Sequence, residues 1–150
     1  MSAWDDWVPG FTRTAATRVM TAERMRWYAD ALETCSSGVD EPVIAEPNIH
    51  TDDEFAQANG LPARVSDGMI STNWISTLLT ELFGDGYLVG GSLRTRFVKP
   101  IFVDEGIDVV LRVVNRERGE DGFERLVLDV ECVKGDGSVA TGGAATVTLR

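Results

Sequence analysis

The chain is poor in histidine and cysteine and contains no long apolar run. Its 150 residues include one histidine, His50, and two cysteines, Cys35 and Cys132. Two cysteines suffice for neither a disulfide framework nor a zinc site, so we expect reduced thiols in a cytoplasmic protein that needs no metal or other cofactor. No segment approaches the ~18 apolar residues of a membrane span. The acidic N-terminal residues also lack the basic start and apolar stretch of a secretory signal.

Positive charge is scarce as well. The 14 Lys and Arg residues stand against 24 Asp and Glu, which gives a formal net charge of -10. A nucleic-acid-binding protein needs a basic footprint for phosphates, so this class of partner is excluded. Apolar content, by contrast, is ample: 43% of the residues are hydrophobic, enough for the core of one domain over 1–150, with residues 1–12 as an N-terminal arm.

The first half of the chain has a helical pattern. Apolar residues at helical spacing predict a helix over 21–32 and a shorter one over about 52–59. The strongest pattern predicts a buried helix over 69–83, with Asp67 in the N-cap position and glycines at 84 and 86 to end it.

The second half changes to the period-two alternation of half-buried strands. One such segment covers 93–97, and three more follow over 107–113, 126–132 and 145–149. Glycines in the connections between the last three predict turns and therefore an antiparallel meander. A strand near 12–19 is expected to join the same sheet. One long buried helix followed by an antiparallel sheet predicts an α+β fold in which the sheet wraps the helix.

The most distinctive local pattern surrounds His50 and the start of the long helix. In chain order it consists of Ala45-Glu46-Pro47-Asn48-Ile49-His50, Ala56, Asp67-Gly68-Met69, Ser76, Phe97-Val98-Lys99-Pro100 and Gly143-Ala144. The order and spacing of these pieces resemble those of the MaoC-like (R)-specific enoyl-CoA hydratases and dehydratases. The resemblance covers about residues 13–150, and it implies the hotdog fold, a long helix wrapped by a curved antiparallel sheet.

The resemblance also implies a reaction and a site. Members of this family add water to a trans-2-enoyl thioester, or remove it, with an Asp and a His that hold and deprotonate the water. His50 occupies the position of that histidine, and Gly68 the position whose backbone N–H binds the thioester oxygen. A helix N-terminus suits this role because its first N–H groups are unpaired and lie at the positive end of the dipole. The positions expected to bind substrate are Asn48, Met69, Ser76 and Arg96.

One departure from the family pattern bears directly on the chemistry. Ala45 stands where the family has its catalytic Asp, and alanine has no acid–base function. Three replacements are conceivable: Glu46 reaches the same point, Asp67 supplies a relocated carboxylate, or His50 acts alone as an ordinary imidazole base. Each has a structural alternative, since Glu46 can be a solvated acid, Asp67 a helix cap and His50 a structural residue.

The substrate implied by the resemblance is an acyl-CoA or acyl-carrier thioester. Both carriers are anionic, and the net charge of the protein would repel them unless basic residues cluster locally. The candidates for such a cluster are Arg64, Arg94, Arg96 and Lys99. Each of them is equally well explained as a solvated surface residue.

Three functions are compatible with this pattern. The first is an enoyl-thioester hydratase or β-hydroxyacyl-thioester dehydratase with altered acid–base residues. The second is a hotdog enzyme for another elimination, an isomerisation or a tailoring step of secondary metabolism. The third is a non-catalytic subunit that completes a partner's site. We expect a homodimer, or a heterodimer with a related subunit, because one wrapped helix leaves a sheet edge open and edge pairing covers it.

Overall fold

The computed structural model describes residues 4–31 and 47–149. Its elements are β1 (Thr12–Thr14), β2 (Arg18–Val19), α1 (Ala22–Ala31), α2 (Asp53–Ala58), α3 (Gly68–Phe83), α4 (Asp85–Leu88), β3 (Ser92–Phe97), β4 (Gly106–Arg118), β5 (Glu124–Lys134) and β6 (Val139–Leu149). The predicted α+β plan is confirmed, with α3 as the long helix and every predicted strand present. None of the helices in these two ranges is long and apolar enough to cross a membrane.

All strand pairs in the sheet are antiparallel. The order is β1-β4-β5-β6-β3, and β2 lies beside β1 on the same edge of β4. The long strands β4, β5 and β6 form the predicted meander. Register shifts at Val113/Asn115 and at Cys132/Val133 mark bulges, which bend strands and increase their twist. The expected strand near 12–19 is present as two short pieces, β1 and β2.

Helix α3 packs on one face of this sheet because each strand turns its apolar residues to that side. Ile75 and Leu79 of α3 are fully buried. The same core contains the inward residues of the long strands, which include Ile107, Val109, Leu111, Val113, Leu126, Leu128, Val130, Cys132, Ala145 and Val147. Burial of each large apolar side chain contributes about 1.5–3 kcal/mol, so this interface is the main source of stability.

The N-terminal arm is part of the folded structure and packs at the C-terminal end of α3. Trp4 stacks on Phe83 with ring centroids 5.3 Å apart, and Trp7 meets the same ring edge-on at 5.0 Å. Trp7 is only 7% exposed and also contacts Phe11 at 4.8 Å. Arg116 of β4 donates to the Trp4 carbonyl oxygen at 2.8 Å and so ties the arm to the sheet.

The chain departs from the sequence prediction just after α3. Gly84, with a φ of 50°, ends the helix as expected, but the next residues form the short helix α4 instead of an open turn. Gly86 permits this because a Cβ there would lie 2.0 Å from the backbone oxygen of Thr148.

Helix α1 begins after Thr21, whose Oγ1 accepts from the Arg24 N–H at 3.2 Å.

Candidate active site

The loop that carries His50 is organised by Asn48. The Asn48 side-chain oxygen accepts from the His50 N–H at 2.8 Å, and the Asn48 N–H donates to Thr51 Oγ1 at 3.2 Å. Such local side-chain bonds favour a turn over a helix. Asp52 then caps α2 by accepting from the Phe55 N–H at 2.7 Å. Asn48, expected to bind substrate, therefore has a structural role in placing His50.

The His50 ring is held in one orientation by a backbone carbonyl. Nδ1 lies 2.7 Å from the oxygen of Val65, and the Val65 N–H donates to the Ile49 oxygen at 3.1 Å. A carbonyl oxygen only accepts, so we assign the proton of the neutral imidazole to Nδ1. Nε2 then carries the lone pair and is the atom able to take a proton.

The N-terminus of α3 begins three residues after Val65. The Ser66 N–H donates to the Ile101 oxygen at 2.8 Å, and the Asp67 carboxylate accepts from the Met69 N–H at 2.8 Å. Asp67 is thus the N-cap that the sequence predicted. The Gly68 N–H, in contrast, has no hydrogen-bond acceptor within residues 4–31 and 47–149. It is an unpaired donor at the positive end of the helix dipole.

Gly68 lies beside a small cavity at the end of β3. The cavity has a volume of about 250 Å³ and is lined by Val65, Ser66, Gly68, Ser71, Phe97, Val98, Lys99, Pro100, Ile101 and Thr141. A Cβ on residue 68 would come within 2.8 Å of the Phe97 ring, so the ring could not keep its position against any larger residue. Lys99 is the charged residue of this lining.

A buried polar network fixes the first turn of α3 to the sheet. Ser71 is fully buried, and its Oγ donates to the Gly68 carbonyl oxygen at 2.7 Å and lies 2.7 Å from Thr141 Oγ1. The Cys132 thiol donates to the Ser71 oxygen at 3.6 Å. Burial raises the pKa of Cys132 to about 12, so this thiol stays neutral. The network leaves the peptide groups around Gly68 little freedom to move.

Ser71 and Thr141 were not singled out from the sequence. A serine three residues into a helix resembles any other, so no signal marked Ser71. A signal did exist for Thr141. It alternates with outward residues in the same series as Gly143, Ala145 and Val147, so its side chain faces the core, where a polar group requires a hydrogen-bond partner.

Helix α1 contributes Tyr28 to the neighbourhood of Asp67. Burial, and to a smaller degree the Asp67 carboxylate, raises the pKa of Tyr28 above its usual value. The phenol therefore stays protonated and can donate a hydrogen bond beside the start of α3.

The other predicted site residues are placed differently from one another: Met69 directly follows Gly68, whereas Ser76 lies farther along α3 and Arg96 on the other face of the sheet. Ser76 is eight residues along α3, a rise of about 12 Å, and its Oγ is 3.0 Å from the Tyr87 hydroxyl. Met69 is 44% exposed at the helix start. Arg96 pairs with Gly142 on the sheet face opposite to α3. Glu46 and Ala45 lie outside the described residues.

The four candidate cations do not form one cluster. Arg64 is bound to Asp53: its Nε lies 3.1 Å from the carboxylate, and its N–H donates to the same oxygen at 2.9 Å. These bonds lower the pKa of Asp53. Lys99 lines the cavity beside Gly68, whereas Arg94 and Arg96 line a different cavity on the outer face of the sheet.

The geometry supplies two elements of thioester chemistry on adjacent segments. Within the described part of the chain, His50 Nε2, on the loop that is hydrogen-bonded to Val65, and the Gly68 N–H, at the start of α3, have no hydrogen-bond partner. A base and an oxyanion donor are the groups needed to move a proton at a carbon next to a thioester carbonyl.

Comparison with protein families gives one match. The profile of the MaoC like domain matches residues 47–131, which is more than half of the chain. No curated protein matches the chain.

Solved structures with the same fold include two (R)-hydratases. R-Hydratase PhaJ1 from Pseudomonas aeruginosa is 19% identical, with a TM-score of 0.69 over 94% of this chain and 81% of that one. The (R)-hydratase from A. caviae involved in PHA biosynthesis is 20% identical, with a TM-score of 0.70 over 95% and 96%. The C-terminally truncated HadBC complex (3R-hydroxyacyl-ACP dehydratase) from Mycobacterium tuberculosis is 16% identical, with a TM-score of 0.63 over 94% and 96%.

Identities this low establish the fold alone, and that fold is the predicted hotdog. The family follows from the profile match, which contains His50, Gly68 and Ser71. The chain belongs to the MaoC-like domain family.

Proposed function

We propose that the protein is an enoyl-thioester hydratase or β-hydroxyacyl-thioester dehydratase with altered acid–base residues, in which His50 is the general base. The observation that carries this proposal is the 2.7 Å contact between His50 Nδ1 and the Val65 oxygen, because it leaves Nε2 as a free base. The unpaired Gly68 N–H supplies the oxyanion donor. Family membership and the fold shared with two (R)-hydratases support the reaction class.

In the hydration direction, His50 Nε2 removes a proton from water as the water oxygen bonds to C3 of the enoyl group. The electrons of the C2–C3 double bond move to C2 and the thioester oxygen, where the Gly68 N–H stabilises the negative charge. The imidazolium then returns its proton to C2 on the same face, which gives syn addition. A fixed donor of this kind lowers the barrier by about 3 kcal/mol.

Of the replacements for the family's Asp, Glu46 lies outside the described residues, and between the other two the geometry favours His50 over Asp67. The Asp67 carboxylate caps α3 beside Gly68, where its charge would oppose a developing enolate if it also served as base. The orienting partner of His50 is a neutral carbonyl of Val65 instead of a carboxylate. Fixing the tautomer and the ring needs no more than this acceptor.

The test is the loss of the conjugated double bond of a short trans-2-enoyl-CoA in the presence of the purified protein. His50→Gln keeps a polar side chain of similar reach but has no base, so kcat should fall by about 10²–10⁴-fold. His50→Gln activity equal to that of the wild type would remove His50 from the mechanism. Absence of turnover by the wild type over several chain lengths would overturn the proposed reaction.

One observation favours a second candidate, the isomerisation of the same substrate. Ala45 leaves no carboxylate at the position where the family holds its water, and a proton shuttle between C2 and C4 needs a base and an oxyanion donor but no bound water. Isomerisation moves the double bond without adding oxygen. NMR of the product separates the two reactions: a 3-enoyl thioester supports isomerisation, and a 3-hydroxyacyl thioester supports hydration.

The proposal includes a homodimer formed by pairing of β3 edges. Strand β3 ends the sheet, and its outer edge has no partner strand in the described part of the chain. Exposed apolar residues flank both of its ends: Leu88 and Val89 before it, Phe97 and Val98 at its close, all more than half exposed. Antiparallel pairing about a two-fold axis brings the first pair of one copy against the second pair of the other.

Such a dimer would cover the cavity beside Gly68, because Phe97 and Val98 line it. Val89→Asp should therefore shift the protein from dimer to monomer in light scattering and lower hydration activity. Val114→Asp, on a 48% exposed residue of β4, is the matched control and should remain dimeric. A monomeric wild type with full activity would overturn the dimer while leaving the proposed reaction intact. Assembly only with a second, related chain would favour the heterodimer.

A further inference from the structure

The connection between β3 and β4, residues 98–105, forms one wall of the candidate site. Its first four residues line the cavity beside Gly68. From Lys99 onward the connection crosses the ends of β6 and β5, where it bonds to Ala140 and Lys134. It therefore lies to the side of the strand edge at which the proposed dimer pairs, and a displacement of it would change the shape of the cavity.

The same connection is bonded to the residue that orients His50. Val65 and Phe102 form an antiparallel bridge, with backbone hydrogen bonds of 2.8 and 3.1 Å on its two sides. Val65 is also the residue whose carbonyl oxygen lies 2.7 Å from His50 Nδ1. The position of that oxygen, and with it the orientation of the imidazole, therefore depends on where the connection is held.

The connection has a backbone conformation that requires support from its surroundings. Asp104 has a φ of 65°, in the left-handed region that residues other than glycine seldom occupy. Such a conformation costs free energy and persists only where neighbouring structure holds it. Backbone bonds hold both ends: the Lys99 N–H donates to the Ala140 oxygen at 3.1 Å, and the Asp104 N–H to the Met20 oxygen at 2.8 Å.

Lys134, the last residue of β5, ties the middle of the connection to the sheet. Its Nζ donates to the Pro100 oxygen at 3.0 Å, lies 2.9 Å from Glu105 Oε1 and is 5.5 Å from the centroid of the Phe102 ring. The other carboxylate oxygen of Glu105 accepts from the Phe102 N–H at 2.8 Å. A carbonyl, a carboxylate and an aromatic face all attract a cation, so one ammonium group holds three residues of the connection.

This ion pair is less exposed than others in the molecule. The side chain of Lys134 is 13% exposed and that of Glu105 31%, whereas the pairs formed by Arg64, Arg116 and Arg125 have cations at 23–32% and carboxylates at 46%. Desolvation offsets much of the attraction within a buried pair, so its net contribution to stability is small. Its consequence for the fold is geometric: the distances from β5 to Pro100 and Phe102 are fixed.

We propose that Lys134 and Glu105 are positioning residues of the site, which hold the connection where it fixes the Val65 carbonyl and, through that oxygen, the ring of His50. The inference rests on the proposed function, in which His50 is the general base, and deepens it. Neither residue touches the reacting atoms, and both act through the bridge between Phe102 and Val65.

The decisive measurement is nitrogen NMR of the imidazole in untagged protein, because His50 is the only histidine of the chain and its signals need no assignment. In the wild type the neutral ring should carry its proton on Nδ1. Lys134→Met keeps a long side chain but removes the cation. The variant should show a mixture of the two tautomers, since the displaced Val65 oxygen no longer selects one of them.

The kinetic measurement uses the hydration assay with trans-2-enoyl-CoA. In Lys134→Met, kcat should fall by about 10–100-fold while KM changes by less than about threefold, because the base is misplaced but the carrier contacts are kept. Lys134→Met/Glu105→Gln takes the place of the single variant if that one does not fold. It leaves no charge unpaired, keeps an acceptor for the Phe102 N–H and should show the same mixture of tautomers.

Arg125→Met is the matched control. Arg125 lies on the same strand, and its Nη1 is 3.0 Å from Asp121 Oδ1 in the connection at the opposite end of β5. The substitution removes an ion pair that does not reach the 98–105 connection. It should leave both the tautomer and kcat as they are in the wild type.

The inference would be overturned by a wild type without the Nδ1–H tautomer, or by a tautomer that Lys134→Met leaves unchanged. It would also be overturned by an equal change in Arg125→Met, or by a changed tautomer with wild-type kcat. A wild type that turns over no thioester removes the proposed function instead. The tautomers of the variants then decide by themselves whether the ion pair positions His50.

Discussion

The two ends of α3 are held by different kinds of contact: aromatic packing at the C-terminal end and hydrogen bonds at the N-terminal end. At the C-terminal end, Phe83 is enclosed by the aromatic rings of Trp4 and Trp7 from the N-terminal arm. At the N-terminal end, Asp67 and Ser71 each bond to one backbone group, and the Gly68 N–H has no partner among the residues that the structure describes. The aromatic end provides stability and the polar end provides chemistry, because a free donor is useful only where its surroundings are fixed.

The largest effect on stability is expected at the aromatic end. Trp7→Ala removes a 7% exposed ring that touches Phe83 and Phe11, and should lower the free energy of unfolding by about 3–5 kcal/mol. Trp27→Ala is the control, since Trp27 is 63% exposed and its loss should cost less than about 0.5 kcal/mol. Urea unfolding measures both. Equal destabilisation of the two variants would show that the arm does not hold the end of α3.

A smaller loss of stability, together with a loss of catalytic rate, is expected from a substitution at the polar end. Ser71→Ala deletes the bond to the Gly68 oxygen and leaves Thr141 without its partner, at a cost of about 1–3 kcal/mol. It should also lower kcat, because the first turn of α3 loses its anchor on β6.

Thr77→Ala is the matched control for that variant. Thr77 makes the same kind of hydroxyl-to-carbonyl bond, to Asn73 at 2.8 Å, on the exposed side of α3. It should change neither stability nor kcat appreciably. Adding Thr141→Val to Ser71→Ala should recover part of the stability, since no buried hydroxyl is then left unpaired. A double variant that loses the sum of the single effects would contradict the paired network.

Features set by the period of apolar residues could be predicted from the sequence, whereas specific polar contacts between distant segments could not. Both the buried stripe of α3 and the alternating strands follow from the period of apolar residues, so the fold was accessible. Asp67 as a cap followed from residue type and position. The contact of His50 with the Val65 oxygen and the buried pair Ser71–Thr141 join segments distant in the chain, and backbone carbonyls carry no sequence signal. Arg96 was expected near the reacting thioester, but strand register turns it to the outer face.

A still smaller change in stability is expected at Asp67, and it distinguishes a capping role of this residue from a catalytic one. Asp67→Asn keeps a good N-cap and should leave stability and kcat close to wild type, whereas Asp67→Ala should lose about 1 kcal/mol. Removal of the negative charge beside Gly68 even favours the enolate, so kcat of the Asn variant should not fall. Unfolding and hydration assays on both variants decide the matter. A large loss of kcat in Asp67→Asn, with stability retained, would make Asp67 the relocated base.

The smallest effect concerns the pair that ties α2 to the segment before Val65. Backbone and side-chain bonds from Arg64 lower the pKa of Asp53, so the pair stabilises the fold above the unfolded pKa of the carboxyl group, near pH 4. The stabilisation is lost as the pH falls through the lower, folded pKa. Asp53→Asn should therefore melt slightly below the wild type at neutral pH, and the difference should vanish in acid. The effect is small because the pair is partly exposed and screened by salt. A difference that persists in strong acid would mean that the Asn side chain perturbs α2 for a reason unrelated to charge.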